Sequence, residues 1–220
     1  MDMKKGEVFF AEAFLNQHFD RIIDWAIGDI RRCCRMNQDG SCEENGALVG
    51  AFILWCCAIE YFGGLYSGLT TPGATKARFK SFIEKYMEKY DPKKIEDLRW
   101  SLTHYYSPQH YVLYHENNLK SNEALHLTTN NRGIMLHLGW AINDLEKAVV
   151  EYHNDLKNND QLKVKAWRFF KVQFPIMPIS LDMLIEQDTT NADVKDLILK
   201  NISASGTVSE EELIEYHKHE

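Results

Sequence analysis

DPKKIEDLRWSLTHYY, residues 91–106, is the stretch on which the reading of this chain turns. Asp91 is placed to cap a helix by accepting from the free amides of the first turn. Pro92 fits the first helical position, where its missing N–H costs nothing. At about 100° per residue, Ile95, Leu98, Leu102 and Tyr105 share one face, the stripe expected to enter a core. Arg99 flanks that stripe. Trp100, Thr103 and His104 lie nearly opposite it, so a large aromatic and an imidazole are expected to point outward. An outward Trp implies a covering partner, or a ring lying flat on the surface. Arg99 and His104 admit a structural reading too: an ion pair of Arg99 with Asp97, Glu96 or a neighbouring helix, and His104 beside the last carbonyls of its helix.

On the N-terminal side, Leu15, Phe19, Ile22, Ile23, Ala26, Ile27, Ile30 and Cys34 recur at helical spacing, predicting a long amphipathic helix over residues 7–36. A polar loop, QDGSCEENG, leads to a second helix over 47–66 that is apolar nearly all round, the expected centre of a bundle. Gly63, Gly64, Gly68 and Thr71-Pro72-Gly73 form a breaker cluster with neither P-loop nor dinucleotide spacing. A third helix, 74–90, carries Phe79, Phe82, Ile83, Tyr86, Met87 and Tyr90 on one side, which reads as core.

Beyond residue 106, HYVLYHE, EALHLTT and GIMLHL alternate apolar with polar residues between Asn-rich turns, predicting a small antiparallel sheet at about 110–138. A helix over 140–157 returns to the bundle. Residues 162–174 are ambiguous between helix and strand, Pro175 and Pro178 break the pattern, and short helices are expected at 194–202 and 210–216, the latter capped by Ser209 with Glu212. The domain expectation is a helical unit over 1–160 with the β insertion, and a partly helical extension over 161–220.

With 220 residues, 45% hydrophobic and 26% charged, the chain has ordinary globular composition, and its net charge of −7 argues against a general phosphate or membrane-surface binder. The five cysteines, Cys33, Cys34, Cys42, Cys56 and Cys57, lack C-x-x-C spacing and suggest a reduced, cytoplasmic setting rather than a disulfide framework or zinc site. No signal-peptide pattern is seen, and the apolar run ending at Glu60 is too short to predict a membrane span. His110, His115, His126 and His137 fall in or beside the expected strands. Alternation turns His126 and His137 outward, and no carboxylate or Cys completes a ligand set, so neither metal nor cofactor is expected.

A long amphipathic helix, a buried helix ending in EYFGGLYSG, a Phe- and Lys-rich helix, then LRWSLTHYYSP before a hairpin and a returning helix: over about 7–157 this order resembles the HEPN (higher eukaryotes and prokaryotes nucleotide-binding) superfamily. The resemblance implies a mainly α bundle that homodimerises through the motif helix. In active members it implies metal-independent RNA cleavage, with Arg99 holding phosphate and His104 as general acid or base, and with Trp100, Ser101 and Thr103 at the binding or interface surface. Five residues along a helix is about 140° around its axis, so Arg99 and His104 would converge only across a two-fold axis. Active members usually carry a polar residue, often Asn, where this chain has Trp100, and other members bind or dimerise without cleaving. RNA or nucleotide, an antitoxin-like protein and a second copy of the chain are the partners implied. A non-catalytic homodimerisation or partner-binding module is the alternative.

Overall fold

The computed structural model describes residues 11–12, 15–37, 41–43, 46–115 and 123–173. Among them are six α-helices and three short strands. A π-helical turn, Leu15–Phe19, runs into α1 (Asp20–Cys33); α2 (Leu48–Ser67), α3 (Thr75–Tyr86) and α4 (Pro92–Tyr105) follow. Then come β1 (Tyr111–Tyr114), β2 (Thr129–Asn130), β3 (Gly133–His137), α5 (Leu138–Lys157) and α6 (Asp160–Gln173). The expected tail helices and the Ser209 cap lie outside the described residues.

Helix α2 packs against all five other helices. Its all-round apolar sequence explains this: Phe52, Trp55, Cys56, Ile59, Phe62 and Leu65 are wholly buried, each large side chain contributing about 1.5–3 kcal/mol by leaving water. By length and composition α2 could cross a membrane; here it is wrapped by other helices as the bundle's hub. The Trp55 indole N–H donates to the Ala141 carbonyl at 2.8 Å, tying α2 to α5. Phe19, Phe62, Phe82 and Tyr152 bring four elements together, with neighbouring ring centroids 5.9–6.4 Å apart. Residues 160–173, ambiguous in sequence, are helical, and Phe169 of α6 packs into this core.

Two glycines read as breakers sit inside α2 instead. A Cβ on Gly63 would meet the Arg78 carbonyl oxygen at 2.3 Å, and one on Gly64 would meet the Phe169 ring at 2.1 Å, so both admit close neighbours. Gly68, with φ of +70°, ends the helix in the left-handed conformation.

The sheet is mixed, which corrects the antiparallel expectation. Its order is β1-β3-β2: β3 pairs antiparallel with β2, but β1 lies parallel to β3, with Tyr111 opposite Ile134 and Tyr114 opposite His137. EALHLTT is mostly a turn, and Leu127 at φ 64° helps reverse the chain. Thr129–Asn130 form β2, Leu127 N and Thr128 O also bond to the Met135 backbone, and the Asn130 side chain accepts from the Arg132 and Gly133 amides to close the hairpin.

Candidate functional site

Helix α4 begins as its sequence dictates, with the Asp91 carboxylate accepting from Lys93 N (2.9 Å) and Lys94 N (3.1 Å). Ile95, Leu98 and Leu102 are wholly buried, as the stripe requires. Tyr105 departs from it and is 64% exposed, because the helix ends there: Tyr106 takes the left-handed conformation at φ 54°, and its N–H returns to Ser101 O. Ser101, grouped in sequence with the outer surface, faces the core, its hydroxyl donating to Leu98 O at 3.1 Å. Thr103 is exposed and donates to the carbonyls of Arg99 and Trp100, which leaves its hydroxyl turned back on the helix.

Arg99 reaches across to α2. Its Nη2 lies 2.9 Å from Glu60 Oε2, the neighbouring-helix ion pair that was one reading of this residue. Glu60 Oε1 accepts from Thr75 Oγ1 at 2.8 Å and from Arg78 Nη1 at 3.3 Å, so one carboxylate holds two guanidinium groups. Arg78 is committed to structure: it also donates to the carbonyls of Leu69 and Thr71 and lies over the Phe169 ring. Arg99 is the outer of the two, its side chain 30% exposed, and its buried Nε finds no acceptor among the described residues. Asp97 and Glu96 serve other partners, Lys93 and His110 for the first and Lys76 for the second.

His104 turns outward into a ring cluster rather than toward Arg99. Its ring centroid lies 5.3 Å from that of Trp100, which lies 5.0 Å from that of Tyr105 in an edge-on arrangement. Trp100 is 47% exposed, and Tyr106 beyond it is exposed as well. The exposed end of α4 therefore offers aromatic faces, an imidazole and, around the helix, an arginine fixed by the partly buried Glu60 carboxylate. Glu60, the residue that fixes it, was missed in the sequence because it reads only as the end of an apolar run.

His110 is exposed, but His126 and His137 are not the solvated side chains that alternation implied. His126 lies in the turn before β2, and His137 is the last residue of β3 and the N-cap of α5, its Nδ1 accepting from Trp140 N. Both are buried, because the strand ends at His137 and the period of two stops applying. No group of three or more His, Cys, Asp or Glu among the described residues is placed to hold a metal ion.

Comparison with family models, with curated proteins and with solved structures returns no match. What stands is a helical bundle with a small mixed sheet inserted after the motif helix, a shape that an RNA-binding or protein-binding module can have.

Proposed function

We propose that this chain is a HEPN-like, cytoplasmic RNA-binding protein whose working surface is the exposed end of α4, and that cleavage of RNA requires two copies. The observation that carries the reading is the divergence of the two motif side chains: Arg99 is held on Glu60 while His104 stands outward against Trp100. A single chain thus presents a cation and an imidazole at separate places, and a two-fold pairing of α4 is the arrangement that supplies both to one phosphate. In that arrangement His104 would move the proton of a ribose 2′-hydroxyl or of the leaving oxygen, and Arg99 would hold the charge developing on phosphorus-bound oxygen. Proton transfer and charge stabilisation of this kind do not call on a metal.

The rings supply affinity that the net charge of −7 does not. Stacking an unpaired base on an aromatic side chain is worth about 1–3 kcal/mol, and it needs no sequence. The test is binding and cleavage of unstructured RNA in the presence of chelator. Trp100→Ala is expected to weaken binding by about ten-fold or more, and Arg99→Ala or His104→Ala to remove most cleavage, by about 10²-fold or more. Absence of RNA binding by the wild-type chain overturns the reading.

The second reading, a partner-binding or homodimerisation module without catalysis, is favoured by the outer face of α2, where Ile53 and Leu54 are partly exposed and Cys57 is exposed. A second copy or an antitoxin-like protein covering that face, in a defence or toxin–antitoxin setting, would make Trp100 a contact rather than a stacking platform.

A further inference from the structure

The chain leaving α1 folds back on the helix end. Arg35 is left-handed at φ 49°, and Met36 then forms an antiparallel bridge with Cys42. Asn37 N donates to Ser41 O at 2.8 Å and Glu43 N to Arg35 O at 3.3 Å. These bonds flank the Met36–Cys42 pair instead of joining it, which is the close type of antiparallel pair, about 4.5 Å between Cα atoms. A little further on, Gly46 lies against Cys34, where a Cβ would meet the Cys34 carbonyl oxygen at 2.2 Å, and Ala47 N donates to Cys33 O at 3.0 Å. Residues 41–43 and 46–47 are thereby pressed onto the segment from Cys33 to Met36.

This lap buries two thiols together. Cys34 is 1% exposed and Cys42 6%, the two thiols shift each other's titration, and the Cys34 S–H lies 3.4 Å from the Arg31 carbonyl oxygen, to which it donates. The adjacent Cys33 points elsewhere, its Sγ 3.7 Å from Ala47 O and against Gly50. Cys56 is buried in α2, and Cys57 is exposed.

We propose that Cys34 and Cys42 are a redox modification site, closing to an intramolecular disulfide when the chain meets a peroxide and reopening when it meets a dithiol. The neighbouring Cys34 holds the Cys42 thiol below its ordinary range against the effect of burial, while the Cys34 thiol is itself pushed up. Cys42 is accordingly the attacking sulfur. Its thiolate breaks the O–O bond of hydrogen peroxide, keeping one oxygen as a sulfenic acid and releasing the other as water. The Cys34 sulfur then attacks the sulfenic sulfur; the S–S bond forms, the S–OH bond breaks, and hydroxide leaves as a second water with the Cys34 proton. Two thiols lose two electrons to one peroxide. The bond would staple the end of α1 to the segment that leads into α2.

The experiment treats the native chain with hydrogen peroxide, alkylates remaining thiols and maps peptides without reduction. A Cys34–Cys42 cross-link that dithiothreitol reverses, with a higher thermal midpoint for the oxidised form, is expected. In Cys34→Ser the reaction should stop at a Cys42 sulfenic acid captured by dimedone. Cys42→Ser should leave Cys34 unmodified. The proposal is overturned if peroxide sufficient to modify the exposed Cys57 leaves Cys34 and Cys42 as free thiols, or if Cys33 takes the place of Cys34 in the cross-link. Because the mapping is done on the wild-type chain, it stands even where a serine variant does not fold.

Discussion

Asp144 is a buried carboxylate held by three donors at one oxygen. Tyr90 Oη lies 2.6 Å from Oδ2, Lys89 Nζ 2.7 Å and His126 Nε2 3.3 Å. His126 Nδ1 accepts from the His137 amide at 3.2 Å, so the ring proton is on Nε2, facing Asp144 and the Tyr90 oxygen 2.9 Å away. Burial alone would raise the pKa of Asp144; the hydrogen bonds from His126, Lys89 and Tyr90 and the charge on Lys89 outweigh it and hold the carboxyl below its ordinary range. The unfolded carboxyl then takes a proton at higher pH than the folded one. Its contribution is thus present above the unfolded pKa of about 3.9 and is lost as pH falls through the folded value. Asp144→Asn should cost about 1.5–3 kcal/mol in urea unfolding at neutral pH, and should flatten the loss of stability below about pH 4. An unchanged acid limb would show that Asp144 does not supply it. None of this network was legible in the sequence: Lys89, Tyr90, His126 and Asp144 come together only once the segment after α3, the turn before β2 and α5 are packed, and alternation sent His126 outward.

Elements were read best where one local rule governs them. The α4 start follows from Asp91-Pro92, and Asp91→Ala should cost about 1 kcal/mol, measurable as a lower urea midpoint with unchanged slope. Helix α2 was legible as the hub because it is apolar all round, whereas Gly63 and Gly64 were misread: what they accommodate, the Arg78 backbone and the Phe169 ring, belongs to α3 and α6. Inside a helix, Gly→Ala ordinarily gains about 0.5–1 kcal/mol. Gly63→Ala should reverse that sign and cost about 1–3 kcal/mol, since the obstacle is a carbonyl that cannot swing aside. A stabilised Gly63→Ala variant would show that α2 and α3 can separate without loss. The sheet shows the opposite limit: apolar alternation found the strands near β1 and β3, but strand direction depends on how the chain crosses between them, which no local pattern records.

At the scale of the whole molecule, the two arginines on Glu60 divide the work. Removing Arg99 leaves Glu60 bonded to Arg78 and Thr75, so Arg99→Ala should fold, at a cost of about 1–2 kcal/mol, and can serve as a functional variant. That makes a mixing experiment possible. If the chain pairs through α4, sedimentation at micromolar concentration should give a dimer, and Trp100 fluorescence should be shielded from iodide. Joining Arg99 of one copy with His104 of the other gives a symmetric dimer two equivalent composite sites. Arg99→Ala and His104→Ala homodimers should each be inactive. In a mixed dimer, however, both substitutions fall in one site and its twin is intact. Random re-pairing of equal amounts makes half the dimers mixed, each with one working site, so about a quarter of wild-type cleavage should return. Pairs that stay silent on mixing while the wild type cleaves would mean that Arg99 and His104 act within one chain, which requires α4 to unwind at its end. A monomer whose Trp100 is freely quenched would remove the two-fold site altogether and leave the ring cluster as a surface for a different partner.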